Sequence, residues 1–373
     1  MFLTRISTLL ALSFIAATAH AQDGPIFATN PDAGLDLSGD DGFWNRETLG
    51  NAEDQALPIP EGGFDSVALG NVHDDINQDI VNGRYATEDA QIEADLGNEI
   101  VKPRDFDETG PFVQEAVGSS GAYFSSSRLV PEDARLHYPY RVNGKIFFTK
   151  PDVGNFICSG TVIKPRLVLT AGHCVHKGSD GGDGFYTNII FVPAYHRGNA
   201  PYQQWTHTWV ATTAAWSTSN GSVPNSGDFA IIEVADREFD GEMKRIGDVV
   251  GWVGYRTGAL SPNHTKKIGY PGNHDHGEVM HQVDSAWHED ASQNTVLYGS
   301  DMRDGSSGGG MIENFGVKAE GQIGATYDSP NRLVGVISYG FIDEDPKVQG
   351  SSRLGQEFVD LVNLGCNNQL GNC

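Results

Sequence analysis

From about Leu129 to the C-terminus the chain is a succession of short β-rich runs separated by Gly, Pro, Asn and Asp, and this spacing restricts the fold more than any other feature. Runs at Lys145–Thr149, Phe156–Ile163, Leu167–Thr170, Asn188–Val192, Phe229–Val234, Val249–Val253, Val279–Val283, Thr295–Tyr298 and Leu333–Tyr339 are rich in β-branched and aromatic residues. Such residues suit a pleated, buried surface, and many short strands at this spacing predict an all-β barrel or sandwich. Only Gln356–Leu364 carries an amphipathic helical pattern of any length, with Gly365 as the expected stop.

A chain of 373 residues buries a sizeable core without help from disulfides. Its acid is unevenly placed. Residues 22–120 hold 22 Asp/Glu against 4 Lys/Arg, whereas residues 121–373 hold 27 against 20, so most of the net charge of -24 belongs to one N-terminal stretch. This balance argues against nucleic acid or an anionic membrane surface as a partner, since both need a basic footprint. From Gln22 to about Gly121 the sequence is rich in Asp, Gly and Asn, lacks Cys, and shows one modest helical pattern around Thr87–Leu96. Residues 22–123 therefore read as a largely irregular acidic leader, either a propeptide or a disordered extension that stays attached.

Residues 1–21 combine Arg5, an apolar run from Ile6 to Ala17 and the small-residue triplet Ala19-His20-Ala21, the pattern of a signal peptide cleaved after Ala21. The run is too short to cross a bilayer, so the expectation is a secreted protein, extracellular or periplasmic, with no membrane anchor. Four cysteines follow, Cys158, Cys174, Cys366 and Cys373, with no CxxC pair among them. An even count after an export signal favours two local disulfides, Cys158 with Cys174 and Cys366 with Cys373. Closing the first loop is worth roughly 3 kcal/mol on chain entropy.

Three short segments carry chemistry. Thr170-Ala171-Gly172-His173-Cys174 follows an apolar strand, Asp228-Phe229-Ala230-Ile231-Ile232 opens one, and Gly305-Ser306-Ser307-Gly308-Gly309 is a glycine-flanked serine in a sharp turn. A serine hydroxyl needs a neutral imidazole to take its proton, and the imidazole needs a carboxylate to fix its tautomer. Ser307, His173 and Asp228 fit those roles. Glycines around Ser307 permit unusual backbone angles and free the amides of Gly305 and Ser307 to face a developing oxyanion. The serine segment also fits the G-x-S-x-G elbow of α/β-hydrolases, but that fold places its histidine after the serine, and the last histidine here is His288. No cofactor or metal is called for. His274-Asp275-His276, with His264 and His281 nearby, could bind an ion, yet a polar loop with histidines is commonplace. Ser179–Gly184 lacks the length and terminal Glu of a calcium loop.

Taken in the order His, Asp, Ser, these segments resemble the trypsin-like (chymotrypsin-fold) serine endopeptidases over roughly residues 124–364, within a domain spanning 124–373. Phe191-Val192-Pro193-Ala194-Tyr195, Gly269-Tyr270-Pro271-Gly272 and Asp301-Met302-Arg303 look more like the bacterial glutamyl-endopeptidase branch than like animal trypsins. The resemblance implies two packed six-stranded antiparallel β-barrels with the catalytic residues in the cleft between them. It implies an acyl-enzyme on Ser307, protein or peptide substrates, and a monomer. Ser338, Tyr339 and Gly340 resemble the strand that pairs with the substrate backbone. Asp301, six residues before Ser307, matches the aspartate that receives Arg or Lys in trypsins, with a mixed or small-residue preference as the alternative. The histidine that glutamate specificity uses near the substrate-pairing strand is missing from Val336-Ile337-Ser338-Tyr339. Ser306 stands where animal zymogens keep the aspartate that receives a new N-terminus, and Gly310 stands where many relatives have proline. The cysteine pair that frames the trypsin specificity pocket is absent. Two other readings of the triad are an inactive binding protein and an esterase.

Overall fold

The apolar runs do become strands, and the alternation of buried strands with glycine-rich turns produces two β-units. The computed structural model describes residues 24–31, 42–61, 80–84, 121–316, 329–341 and 347–373. The signal segment 1–21 and the helical pattern at Thr87–Leu96 lie outside them. The first unit is built from β5 (Asn143–Lys150), β6 (Gly154–Val162), β7 (Leu167–Thr170), β8 (Thr187–Pro193), β9 (Trp205–Thr212) and β10 (Ala230–Val234). Their order is β9-β10-β7-β6-β5-β8, and β8 pairs back to β9, so six antiparallel strands close into a barrel. Its interior is filled by Ile146, Phe148, Val168, Phe191 and Ile232, all fully buried. Each such side chain contributes about 1.5–3 kcal/mol of burial.

The second unit contains β4 (Phe124–Arg128), β13 (Gly254–Arg256), β14 (His264–Gly269), β15 (His281–Ala291), β16 (Thr295–Gly299), β17 (Gly310–Glu313), β18 (Arg332–Val336), β19 (Tyr339–Gly340) and β20 (Val348–Ser352). With β3 (Ile80–Val81) from the leader they form one ten-stranded sheet. Where the resemblance implies a second six-stranded barrel, no pairing joins the ends of this sheet among the described residues. A two-stranded ribbon, β11 (Arg237–Phe239) with β12 (Glu242–Lys244), stands apart from both.

Two sequence expectations are corrected. Val249–Val253 is not a strand: Ile246–Val250 is a short helix, and Trp252 beyond it makes an isolated bridge to Arg84. A short apolar run has no period that separates strand from buried helix. The C-terminal helix does not stop at Gly365 but runs Gln356–Asn368. Gly365 packs in it close to Leu167, and the Asn372 side chain donates to its carbonyl at 2.8 Å.

Parts of the leader are built into both units. β1 (Ile26–Thr29) adds to the edge of β9, β2 (Glu53–Asp54) runs parallel to β6, and β3 pairs with β13. A five-residue helix, Arg46–Gly50, starts at Asn45, whose side chain caps the amides of Glu47 and Thr48. Before it, Trp44 is completely buried against Phe147, and its Nε1 donates to Asn188 O.

Candidate active site

The antiparallel register of β7 and β10 pairs Thr170 with Ala230. The residues just after β7 therefore face those just before β10, which brings His173 and Asp228 together although 55 positions separate them. His173 sits in a single 3-10 turn, Gly172–Cys174. Its Nδ1 lies 2.9 Å from Asp228 Oδ2, and its backbone amide donates to Asp228 Oδ1 at 2.9 Å. The Ser338 hydroxyl also donates to Asp228 Oδ2, at 2.5 Å. Asp228 is fully buried, so these donors replace the water that a carboxylate would otherwise need. The resemblance assigns Ser338 to the substrate backbone, and its side chain proves to have this second task.

Ser307 lies in the loop between β16 and β17. Its carbonyl accepts from Ser159 N at 2.8 Å, which ties the nucleophile loop to the first barrel, beside the Cys158–Cys174 disulfide. The second expected disulfide, Cys366–Cys373, is present as well. Gly305 and Gly308 have φ of 83° and 78°. A Cβ on Gly308 would fall 2.1 Å from Thr170 Oγ1 and one on Gly305 would fall 2.6 Å from Tyr270 O, so only glycine fits either position. Ser306 donates to Arg303 O and accepts from Gln349 Nε2, a neutral arrangement in place of a buried aspartate. Gly310 begins β17. Ser307 Oγ and His173 Nε2 are both sealed from solvent and neither makes a hydrogen bond, so the Ser–His link of the expected triad is not formed here.

Asp301 is almost fully buried, with His274 Nε2 at 3.2 Å. Burial pushes its carboxyl up, but the neighbouring His274 and Ser126 side chains and the charges of His274 and His281 outweigh it, leaving Asp301 below the usual range. His274 stacks on His281 with ring centroids 4.1 Å apart and planes 5° apart, and His281 bonds Ser126 Oγ at 2.8 Å. Burial, then the charge of His274, holds His281 well below an ordinary imidazole. These three side chains are close enough to suggest a metal centre. Parallel rings, however, aim their nitrogen lone pairs along parallel planes rather than at one ion, so the stack fits a hydrogen-bonded cluster better. Sequence reading missed both histidines as neighbours of Asp301, although the polar loop holding them was conspicuous.

The other missed element is the leader segment at 53–58. Gln55 N donates to Ile157 O at 3.0 Å and Gln55 O accepts from Gly305 N at 2.9 Å. Leu57 N donates to Asp304 Oδ1 at 2.8 Å, and Pro58 O accepts from Gly340 N at 3.1 Å. The Leu57 side chain is buried with Met302, Ile337, Phe124 and Val283. Tyr339 turns its ring away into the second unit, where its hydroxyl meets Thr295 Oγ1 at 2.7 Å.

The chain is 26% identical over 121 residues to an extracellular metalloprotease of Bacillus subtilis, covering 32% of this chain and 34% of that protein. It is 28% identical over 167 residues to a glutamyl endopeptidase of Bacillus licheniformis, covering 43% and 47%. The chain thus spans between a third and a half of the length of these curated relatives. A solved thermostable serine protease from an extremophilic microorganism, 24% identical, matches 61% of this chain and 98% of its own with a TM-score of 0.50, which shows the shared fold. The family model described as Trypsin matches residues 132–352, more than half of the chain, and on that match the protein belongs to the trypsin family.

Proposed function

We propose that this chain is an exported serine endopeptidase whose nucleophile is Ser307. His173 takes the hydroxyl proton and later returns it to the leaving amine, and Asp228 holds the imidazole in the required tautomer. The amides of Gly305 and Ser307 receive the oxyanion, while Ser338–Gly340 offers backbone pairing to an extended peptide. The reading is carried by Asp228, which grips both the amide and the ring of His173 in a buried setting. Two disulfides and relatives named as extracellular or as endopeptidases support export and proteolysis. The leader is then a propeptide. Ala122 is buried and β4 pairs with β15, so the proposed cut lies N-terminal to Ala122.

Asp301 is the residue proposed to select Arg or Lys before the scissile bond, in competition with His274. Ser307→Ala should abolish peptide hydrolysis by the processed protein while leaving its thermal midpoint unchanged, since the hydroxyl contributes to chemistry and not to packing. Near-normal turnover in that variant overturns the assignment, and turnover of esters but not peptides replaces it with an esterase. Cuts mainly after Glu, or a preference unchanged in Asp301→Ser, would remove Asp301 from the pocket.

A further inference from the structure

The endopeptidase reading requires two backbone donors of the cleft to be free for substrate: Gly305 N for the oxyanion and Gly340 N for strand addition. Both are occupied by the chain itself. Gly305 N donates to Gln55 O and Gly340 N donates to Pro58 O, and between these carbonyls Leu57 is buried at 3% exposure. The fit is close. A Cβ on Gly340 would fall 2.5 Å from the Leu57 side chain, and one on Gly272 would collide with the Asp54 carboxylate. Ser307 Oγ and His173 Nε2, which must meet a substrate, are shut off from solvent.

We infer that residues 53–58 form an intramolecular inhibitor, a strap that fills the substrate cleft of the family member described above and keeps it latent. The inference rests on the endopeptidase reading and adds the regulation of the same site. Its strength does not require high intrinsic affinity. Trp44, buried ten positions before Asp54, anchors the segment to the first barrel, and such tethering supplies an effective concentration in the millimolar range. Freed from the tether, the same peptide binds weakly. Latency here needs no new N-terminus to pair with an aspartate beside the nucleophile, which agrees with serine at position 306.

The test uses the full chain and a fluorophosphonate probe that labels an accessible catalytic serine. Wild type, Leu57→Ala and Leu57→Asp are compared for labelling of Ser307, with circular dichroism to establish that each is folded. Removing a buried leucine side chain weakens its seat by enough to raise the labelling rate at least about tenfold, and a carboxylate raises it further. The synthetic peptide 51–62, added at millimolar concentration to Leu57→Asp, should slow labelling again, whereas a scrambled peptide should not. Leu57→Ala is the milder change and keeps the test open if Leu57→Asp fails to fold. Labelling that occurs at one and the same rate in wild type and both variants, or cleavage of the Gln55–Ala56 bond in the intact chain, overturns the strap. No labelling of any chain, with fluorescently tagged 51–62 peptide still bound by Leu57→Asp, overturns the enzymatic reading instead and leaves the strap in its seat.

Discussion

Asp228 has no exposure to water, so each donor around its carboxylate has a measurable consequence. Two of the three come from His173, and both follow from the β7–β10 register; the third, the Ser338 hydroxyl, comes from 110 residues away. Ser338→Ala should cost about 1–3 kcal/mol of stability, the usual penalty for a buried polar group that loses a partner. It should also lower kcat/KM by about tenfold, as is common when a supporting hydrogen bond is lost. A purely structural role predicts the stability loss alone. Unchanged kcat/KM in a folded Ser338→Ala counts against a part for this hydroxyl in holding Asp228 for its task. The residues proposed as the triad were legible as candidates because each sits in a short segment whose local composition demands chemistry: a histidine after a buried strand, an acid before one, a serine between glycines. Ser338 was not, because a hydroxyl in an apolar run looks the same whether it faces a carboxylate or a carbonyl.

At the level of elements, alternation and turn residues identified five of the six strands of the closed barrel within a few positions and left out β9. Three other misses have separate reasons. The Ile246–Val250 helix is too short to show a period, the last helix passes through its glycine because Gly365 packs against Leu167, and the leader strands have two to four residues, too few to alternate. The strap belongs to this last group, and its Asp54 gives it a titratable anchor. Burial raises the Asp54 carboxyl above its ordinary value of 3.8, Lys145 and His276 lower it, and Asp304 and Glu278 raise it. The docked carboxyl therefore binds its proton more tightly than the undocked one. Docking is strongest below the ordinary carboxylate value and weakens as pH climbs through the raised one. The labelling rate of wild type, divided by that of Leu57→Asp to remove the titration of the triad, should rise with pH across the acid range, and Asp54→Asn should flatten it. A ratio that falls with pH excludes Asp54 as the anchor that titrates.

For the whole molecule, charge and packing oppose each other. Residues 22–120 carry a net charge of -18 and residues 121–373 one of -7, so the leader docks on a body of its own sign. What holds it is apolar and hydrogen-bonded: Trp44 on Phe147, Leu57 with Met302 and Ile337, and the edge pairings of β1, β2 and β3. Like charges at the surface repel over a Debye length of about 10 Å at 0.1 M salt and about 3 Å at 1 M, whereas buried contacts of this kind are not screened. Salt should therefore tighten the strap. Raising sodium chloride from about 0.05 to 0.5 M is expected to slow Ser307 labelling of the full chain while leaving Leu57→Asp nearly unaffected, with the Debye length falling roughly threefold over that range. Faster labelling of the full chain at high salt would mean that local ion pairs, not burial, hold the leader down, and that its acidity serves the docking instead of opposing it.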